Sequence, residues 1–180
     1  MKKLFLIGVC NLVLLPAVFA QTQKGNWLVG GNAGFTSQKQ DDFKTTTITF
    51  NPNAGYFVMD DLAIGANVQL SSIKDDDDDA VTTVALGPFV RYYFVDIGPK
   101  AKLFANGSFG FGSIKYNESQ SFTQWDISAG PAFFLNPHTA LEVVVGYGSQ
   151  KFKDFEAANS FGLRIGFQIH LGSGGSSSSE

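Results

Sequence analysis

The sequence predicts an all-β protein, an eight-stranded antiparallel up-and-down transmembrane β-barrel. Three observations carry that prediction: eight segments with one uncharged apolar face, connections that alternate short and long, and an export segment at the N-terminus. The alternation is clearest in Ser160–Leu171. Phe161, Leu163, Ile165, Phe167, Ile169 and Leu171 fall on one face, and Ser160, Gly162, Arg164, Gly166, Gln168 and His170 on the other. Six large apolar side chains in uninterrupted alternation suit a face that meets lipid rather than water.

In chain order, the first strand runs from about Asn26 to Thr36, with Trp27, Val29, Ala33 and Phe35 outward. The second, about Thr45 to Val58, turns out Ile48, Phe50, Pro52, Ala54, Tyr56 and Val58. The third, Leu62 to Ser71, turns out Leu62, Ile64, Ala66, Val68 and Leu70. The fourth, Val81 to Val95, turns out Val84, Leu86, Pro88, Val90, Tyr92 and Phe94. The fifth, Lys100 to Gly112, turns out Leu103, Ala105, Phe109 and Phe111. The sixth, Ser121 to Leu135, turns out Trp125, Ile127, Ala129, Pro131, Phe133 and Leu135. The seventh, Ala140 to Ser149, turns out Leu141, Val143, Val145 and Tyr147, and the eighth is Ser160–Leu171. No outward position is charged, while Arg91, Lys102, Asp126, Glu142 and Arg164 share the inner face. Agreement among eight strands turns a weak individual signal into a strong one.

Connections after strands two, four and six are brief: Met59–Asp61, Asp96–Pro99 and Asn136–Thr139. Those after strands one, three, five and seven are longer and polar, so Asp41–Asp42, Asp75–Asp79, Tyr116–Gln120 and Lys151–Ala158 are expected outside the cell. The descending strands share a repeat: Asn51-Pro52 before Tyr56-Phe57, Gly87-Pro88 before Tyr92-Tyr93, and Gly130-Pro131 before Phe133-Phe134. With Trp27, these aromatics are expected to form an interfacial girdle. Each proline lacks a ladder donor, so bulges are expected at the prolines.

Lys2 and Lys3 precede the apolar run Leu4–Leu15, then Pro16 and Ala17-Val18-Phe19-Ala20. That pattern reads as a signal peptide cleaved after Ala20, too short to span a bilayer as a helix. Export to the periplasm and insertion into the outer membrane follow. Cys10, the only cysteine, would leave with it, so no disulfide or cysteine-metal site is expected. Residues 21–171 are expected to form one barrel domain, and Gly172–Glu180 a linker-like Gly/Ser tail. The formal charge of −3 becomes −5 once Lys2 and Lys3 are removed, which argues against nucleic acid as a partner.

The chain resembles the small eight-stranded outer-membrane β-barrels, the OmpA/OmpX-like "porin family" of Gram-negative cell envelopes, in the form common in the Bacteroidetes. The resemblance covers Asn26–Leu171. It rests on Gly-Pro-Phe-Val-Arg-Tyr-Tyr-Phe (87–94), Asn-Pro-His-Thr-Ala-Leu-Glu (136–142) and the final strand. It implies an outer-membrane monomer whose partners are membrane lipid, lipopolysaccharide and the barrel assembly machinery. Such barrels often end on an aromatic in the last strand, whereas this chain continues past Leu171.

No catalytic residue and no cofactor is expected, and the chain does not read as an enzyme. Both histidines stand at the end opposite the outer leaflet, and Ser160 is about 33 Å from His170 at strand rise. Asp75, Asp76, Asp77, Asp78 and Asp79 are the only metal candidates, and a solvated loop is favoured over a cation site because cation loops space their ligands. Arg91, Lys102, Asp126, Glu142 and Arg164 are expected to pair inside the lumen, with Glu142 as the central anion, joined by Arg164 and by Arg91 or Lys102. The favoured function is a structural or surface-interaction role with a side-chain-filled lumen. The alternative is a narrow channel or lateral transporter for small solutes. A soluble ligand-binding barrel is third, because its outer face should be polar.

Overall fold

The computed structural model describes residues 21–40, 43–75, 81–115, 119–153 and 155–172. Residues 1–20, 41–42, 76–80 with most of the aspartate run, 116–118, 154 and those beyond Gly172 lie outside that set. Eight strands follow one another: β1 (Trp27–Gln40), β2 (Phe43–Met59), β3 (Leu62–Asp75), β4 (Val81–Gly98), β5 (Ala101–Lys115), β6 (Ser119–Asn136), β7 (Thr139–Phe152) and β8 (Ala158–Leu171). Each pairs with the next, and β8 returns to β1, giving a closed antiparallel barrel.

The faces follow the alternation in the sequence. In β4 the pattern is unbroken: Thr83, Ala85, Phe89, Arg91 and Tyr93 are buried, while Val84, Leu86, Val90, Tyr92 and Phe94 are exposed. Exposed apolar residues encircle the molecule, with Phe161, Leu163 and Ile165 the most prominent on β8. Such a belt has no place in water and matches a lipid environment.

Two expectations about the connections change. Among the described residues the strands run further than expected towards the outer connections, since the β1–β2 ladder continues to Gln40↔Phe43 and β3 runs to Asp75. Runs such as Thr45-Thr46-Thr47-Ile48-Thr49 are rich in β-branched residues, which favour the extended ladder even where the faces turn polar. The hairpins therefore continue as paired ribbons beyond the apolar belt.

The prolines, second, do not produce bulges. Pairing lapses beside each one, between Phe50↔Leu70 and Asn53↔Asn67, between Leu86↔Phe111 and Phe89↔Ser108, and between Ala129↔Val145 and Ala132↔Glu142, but the register is unchanged across every gap. A missing donor removes a hydrogen bond without adding a residue. The bulges come later, between Phe57 and Met59, between Tyr93 and Val95, between Asp96 and Gly98, and between Phe134 and Asn136. Each extra residue bends the strand end just above a two-residue turn.

Candidate functional site

The inner face is organised in levels, and the lowest is an aromatic plug. Adjacent residues of a strand face opposite ways, so one member of each aromatic pair must point inward. Tyr56, Tyr92 and Phe133 are exposed with Trp27, and Trp27 packs edge-on against Tyr56 at 5.3 Å. Phe57, Tyr93 and Phe134 are buried inside the barrel and are not part of the girdle. The expected girdle of seven thus divides into four residues at the lipid interface and three in the core.

A fourth ring completes the plug. His170 is buried, with ring centroids 5.9 Å from Phe57, 6.2 Å from Tyr93 and 5.3 Å from Phe134. The four occupy equivalent positions on β2, β4, β6 and β8. The backbone N–H of each donates to the carbonyl of the residue just before an ascending strand: Phe57 to Asn26, Tyr93 to Asp61, Phe134 to Lys100 and His170 to His138, at 2.7–2.9 Å. Leu28, Phe104, Ala63 and Ala140 fill between them. The barrel is thus a fourfold hairpin repeat, with His170 standing where the other three hairpins place a phenyl or phenol ring.

Above the plug lies the first of three ion-paired cations among the described residues. Arg91 Nη1 donates to Glu142 Oε1 at 2.9 Å, with both side chains almost wholly buried. The guanidinium also lies 4.5 Å from the centroid of the Phe104 ring, a cation–π arrangement. Higher up, Arg164 holds Asp126 through two bonds, Nη1 to Oδ2 at 3.1 Å and Nη2 to Oδ1 at 3.0 Å. Lys102 belongs to the rim at the short-turn end, where its Nζ reaches Asp61 at 2.8 Å and Asp96 at 3.1 Å.

The single cluster expected around Glu142 is therefore resolved into separate pairs, and Arg164 is not a partner of Glu142. The register puts Arg164 opposite Val144 and Asp126 opposite Gly148. A side chain at Gly146 would collide with the Arg164 guanidinium, so this glycine leaves the path to Asp126 open. Glu142 is left to Arg91, which reaches it across the lumen from a strand that is not its neighbour. Asp61 and Asp96, the anions for Lys102, read in the sequence only as turn residues. Asp61 adopts a positive φ of 63°, a conformation aspartate tolerates in a tight turn.

The top level is polar and open. Asn32, Asn51, Asn53, Asn67, Asn106 and Gln124 are among the residues around a cavity of about 170 Å³, with the Arg164–Asp126 pair in its wall. Asn51 Nδ2 donates to its register partner Asn32 Oδ1 at 2.7 Å, and Gln124 Nε2 on β6 donates to Gln69 Oε1 on β3 at 2.8 Å, a carboxamide bridge across the lumen. Ser160 lies beside this cavity whereas His170 sits in the plug, so the two do not meet. Among the described residues no group of three or more histidine, cysteine, aspartate or glutamate side chains could hold a metal ion. Four of the five aspartates of 75–79 lie outside the described residues, and Asp75 ends β3.

Comparison with known proteins agrees with this architecture. No curated protein matches the chain. Among solved structures, Neisserial surface protein A aligns at a TM-score of 0.60 and 14% identity, over 80% of this chain and 94% of its own. The N-terminal β-barrel domain of Pseudomonas aeruginosa OprF aligns at 0.57 and 12% identity, over 83% and 98%. The outer membrane protein OprG of the same organism aligns at 0.52 and 9% identity, over 86% and 100%. These likenesses show a shared fold. The family model of the outer membrane protein beta-barrel domain matches residues 7–168, so the chain belongs to that family and is an outer-membrane β-barrel protein.

Proposed function

We propose that the protein is a non-conducting outer-membrane barrel with a structural or surface-interaction role, its paired outer ribbons offered to the cell exterior. The observation that carries this reading is the plug. Leu28, Phe57, Tyr93, Phe104, Phe134 and His170 fill the periplasmic end, with the Arg91–Glu142 pair immediately above. An eight-stranded barrel has an interior that side chains can fill, and an ion crossing this one would have to displace packed rings and a buried ion pair.

Residues 1–20 serve in this reading as the export signal, and mass spectrometry of protein from native membranes should find Gln21 at the N-terminus. The partners are outer-membrane lipid, lipopolysaccharide and the assembly machinery, with the barrel a monomer, and no enzymatic activity is assigned. Planar-bilayer recording on refolded protein tests the reading: the expected result is a baseline without steady open levels. A second reading, a narrow channel or lateral transporter for small solutes, draws on the polar outer cavity. Steady ohmic conductance would promote it.

A further inference from the structure

The seam that closes the barrel is only half closed. β1 and β8 pair from Trp27↔Leu171 to Ala33↔Ile165 and no further. Both strands continue: β1 stays paired with β2 up to Gln40, and β8 stays paired with β7 from Ala158. Among the described residues, 158–164 therefore have no β1 partner opposite them, and 34–40 have none on β8. The two free stretches are equal in length. Continuing the existing register would set Arg164 against Gly34 and Ala158 against Gln40, so the gap reflects separation of the strands rather than a mismatch in length.

The gap carries three further marks. Phe161 and Leu163, 76% and 67% exposed, are the two most exposed large apolar side chains among the described residues of the barrel wall. A side chain added at Gly162 would meet nothing within 4 Å. Ser160 and Arg164 line the polar cavity, so the slit leads from that cavity to the membrane. Phe161 pairs with Tyr147, and Trp125 with Phe109, on the same upper course of exposed aromatics. The slit thus opens at the height of the outer leaflet's upper part and headgroups. Where the slit meets hydrocarbon, backbone donors and acceptors without a strand partner are costly unless a ligand covers them.

We propose that the β1–β8 seam is a lateral binding site for a membrane amphiphile, with its polar head in the lumen cavity and its acyl chain outside against Phe161, Leu163 and Ile165. The chemistry of the two sides differs in the way an amphiphile requires. Carboxamides and hydroxyls inside donate and accept hydrogen bonds, while the rim outside is hydrocarbon. The cavity holds room for several waters. Both cations that line it are already balanced, Arg164 by Asp126 and Arg91 by Glu142, so the head it takes is net neutral: the zwitterionic head of phosphatidylethanolamine. The site is independent of whether the barrel conducts.

The test uses the full barrel, with Cys10→Ala as background, in nanodiscs of phosphatidylethanolamine, read by native mass spectrometry. The unmodified seam should retain one phosphatidylethanolamine per barrel after release from the disc. Thr36→Cys with Gly162→Cys, oxidised to a disulfide that draws the strands together, should lower the retained fraction at least tenfold. A control staple at Val29→Cys with Ile169→Cys, where the strands are already paired, should leave retention intact. If the first pair does not oxidise, Ser108→Trp decides instead, because it fills the cavity from β5 without touching the seam, and it too should abolish retention. Retention that survives the staple or Ser108→Trp, or a free barrel that retains no lipid, would overturn the proposal. So would a dimer that the staple dissolves, since the seam would then pair with a second copy of this chain.

Discussion

The periplasmic and outer halves of this barrel use the same eight strands and the same lipid-facing pattern, yet their interiors are opposites. Below, the inner face is Leu28, Phe57, Tyr93, Phe104, Phe134 and His170, sealed, with every neighbouring pair of strands hydrogen-bonded. Above, it is asparagine, glutamine, serine and glycine around a cavity, with the β1–β8 seam parted. The outer belt, shared by both halves, follows from the membrane. The difference inside shows that the lower half is built for packing and the upper half is left for solvent or a ligand.

The sharpest way to break that contrast is to remove one member of the ion pair where the two halves meet. Glu142→Ala leaves Arg91 buried without its anion and should cost about 3–5 kcal/mol in urea unfolding of the refolded barrel. Adding Arg91→Met should recover part of the loss, whereas adding Arg164→Ala should not, because Arg164 has Asp126. An unchanged midpoint for Glu142→Ala would mean that water reaches this level and that the halves are alike.

The next effect concerns what the halves share. Ile165→Arg, near mid-membrane, should cost about 2–4 kcal/mol, and Phe161→Arg, near the rim, about 0–1 kcal/mol. Equal costs at both depths, read from the same unfolding experiment, would misplace the belt. Smaller again is the pair inside the polar half. Arg164 and Asp126 are each about a quarter exposed, so Asp126→Ala lets the guanidinium turn to water and should cost about 1 kcal/mol. A loss comparable to that of Glu142→Ala would show that the outer cavity is dry. The smallest effect belongs to residues 75–79. Their replacement by serine should move stability by less than about 0.5 kcal/mol. Millimolar Ca²⁺ binding by calorimetry, abolished by the replacement, would instead make the run a cation site.

Much of this arrangement is legible in the amino acids. Strand number, the outward face of every strand and the periplasmic turns follow from alternation and turn residues, which are local properties. Phe57, Tyr93 and Phe134 show where the reading stops short. Their side chains belong to the inner face by parity, but as members of aromatic pairs they read as girdle, and only His170 in the equivalent place on β8 reveals that the inner members form a ring. The Lys102 partners were hidden for another reason: Asp61 and Asp96 read as turn residues, where an acid ordinarily needs no partner, although Asp96 lies in β4 directly opposite Lys102.

The sequence alone determined that the chain is an eight-stranded barrel with a lipid-facing belt, because a period of two and the absence of outward charge need no knowledge of which strand lies beside which. Tertiary structure alone decided that Arg91 takes Glu142 across the lumen, that Arg164 turns over Gly146 to Asp126, and that β1 and β8 part above Ala33 and Ile165. Each joins strands far apart in the chain, and the sealing or opening of the interior depends on how the closed cylinder brings them together.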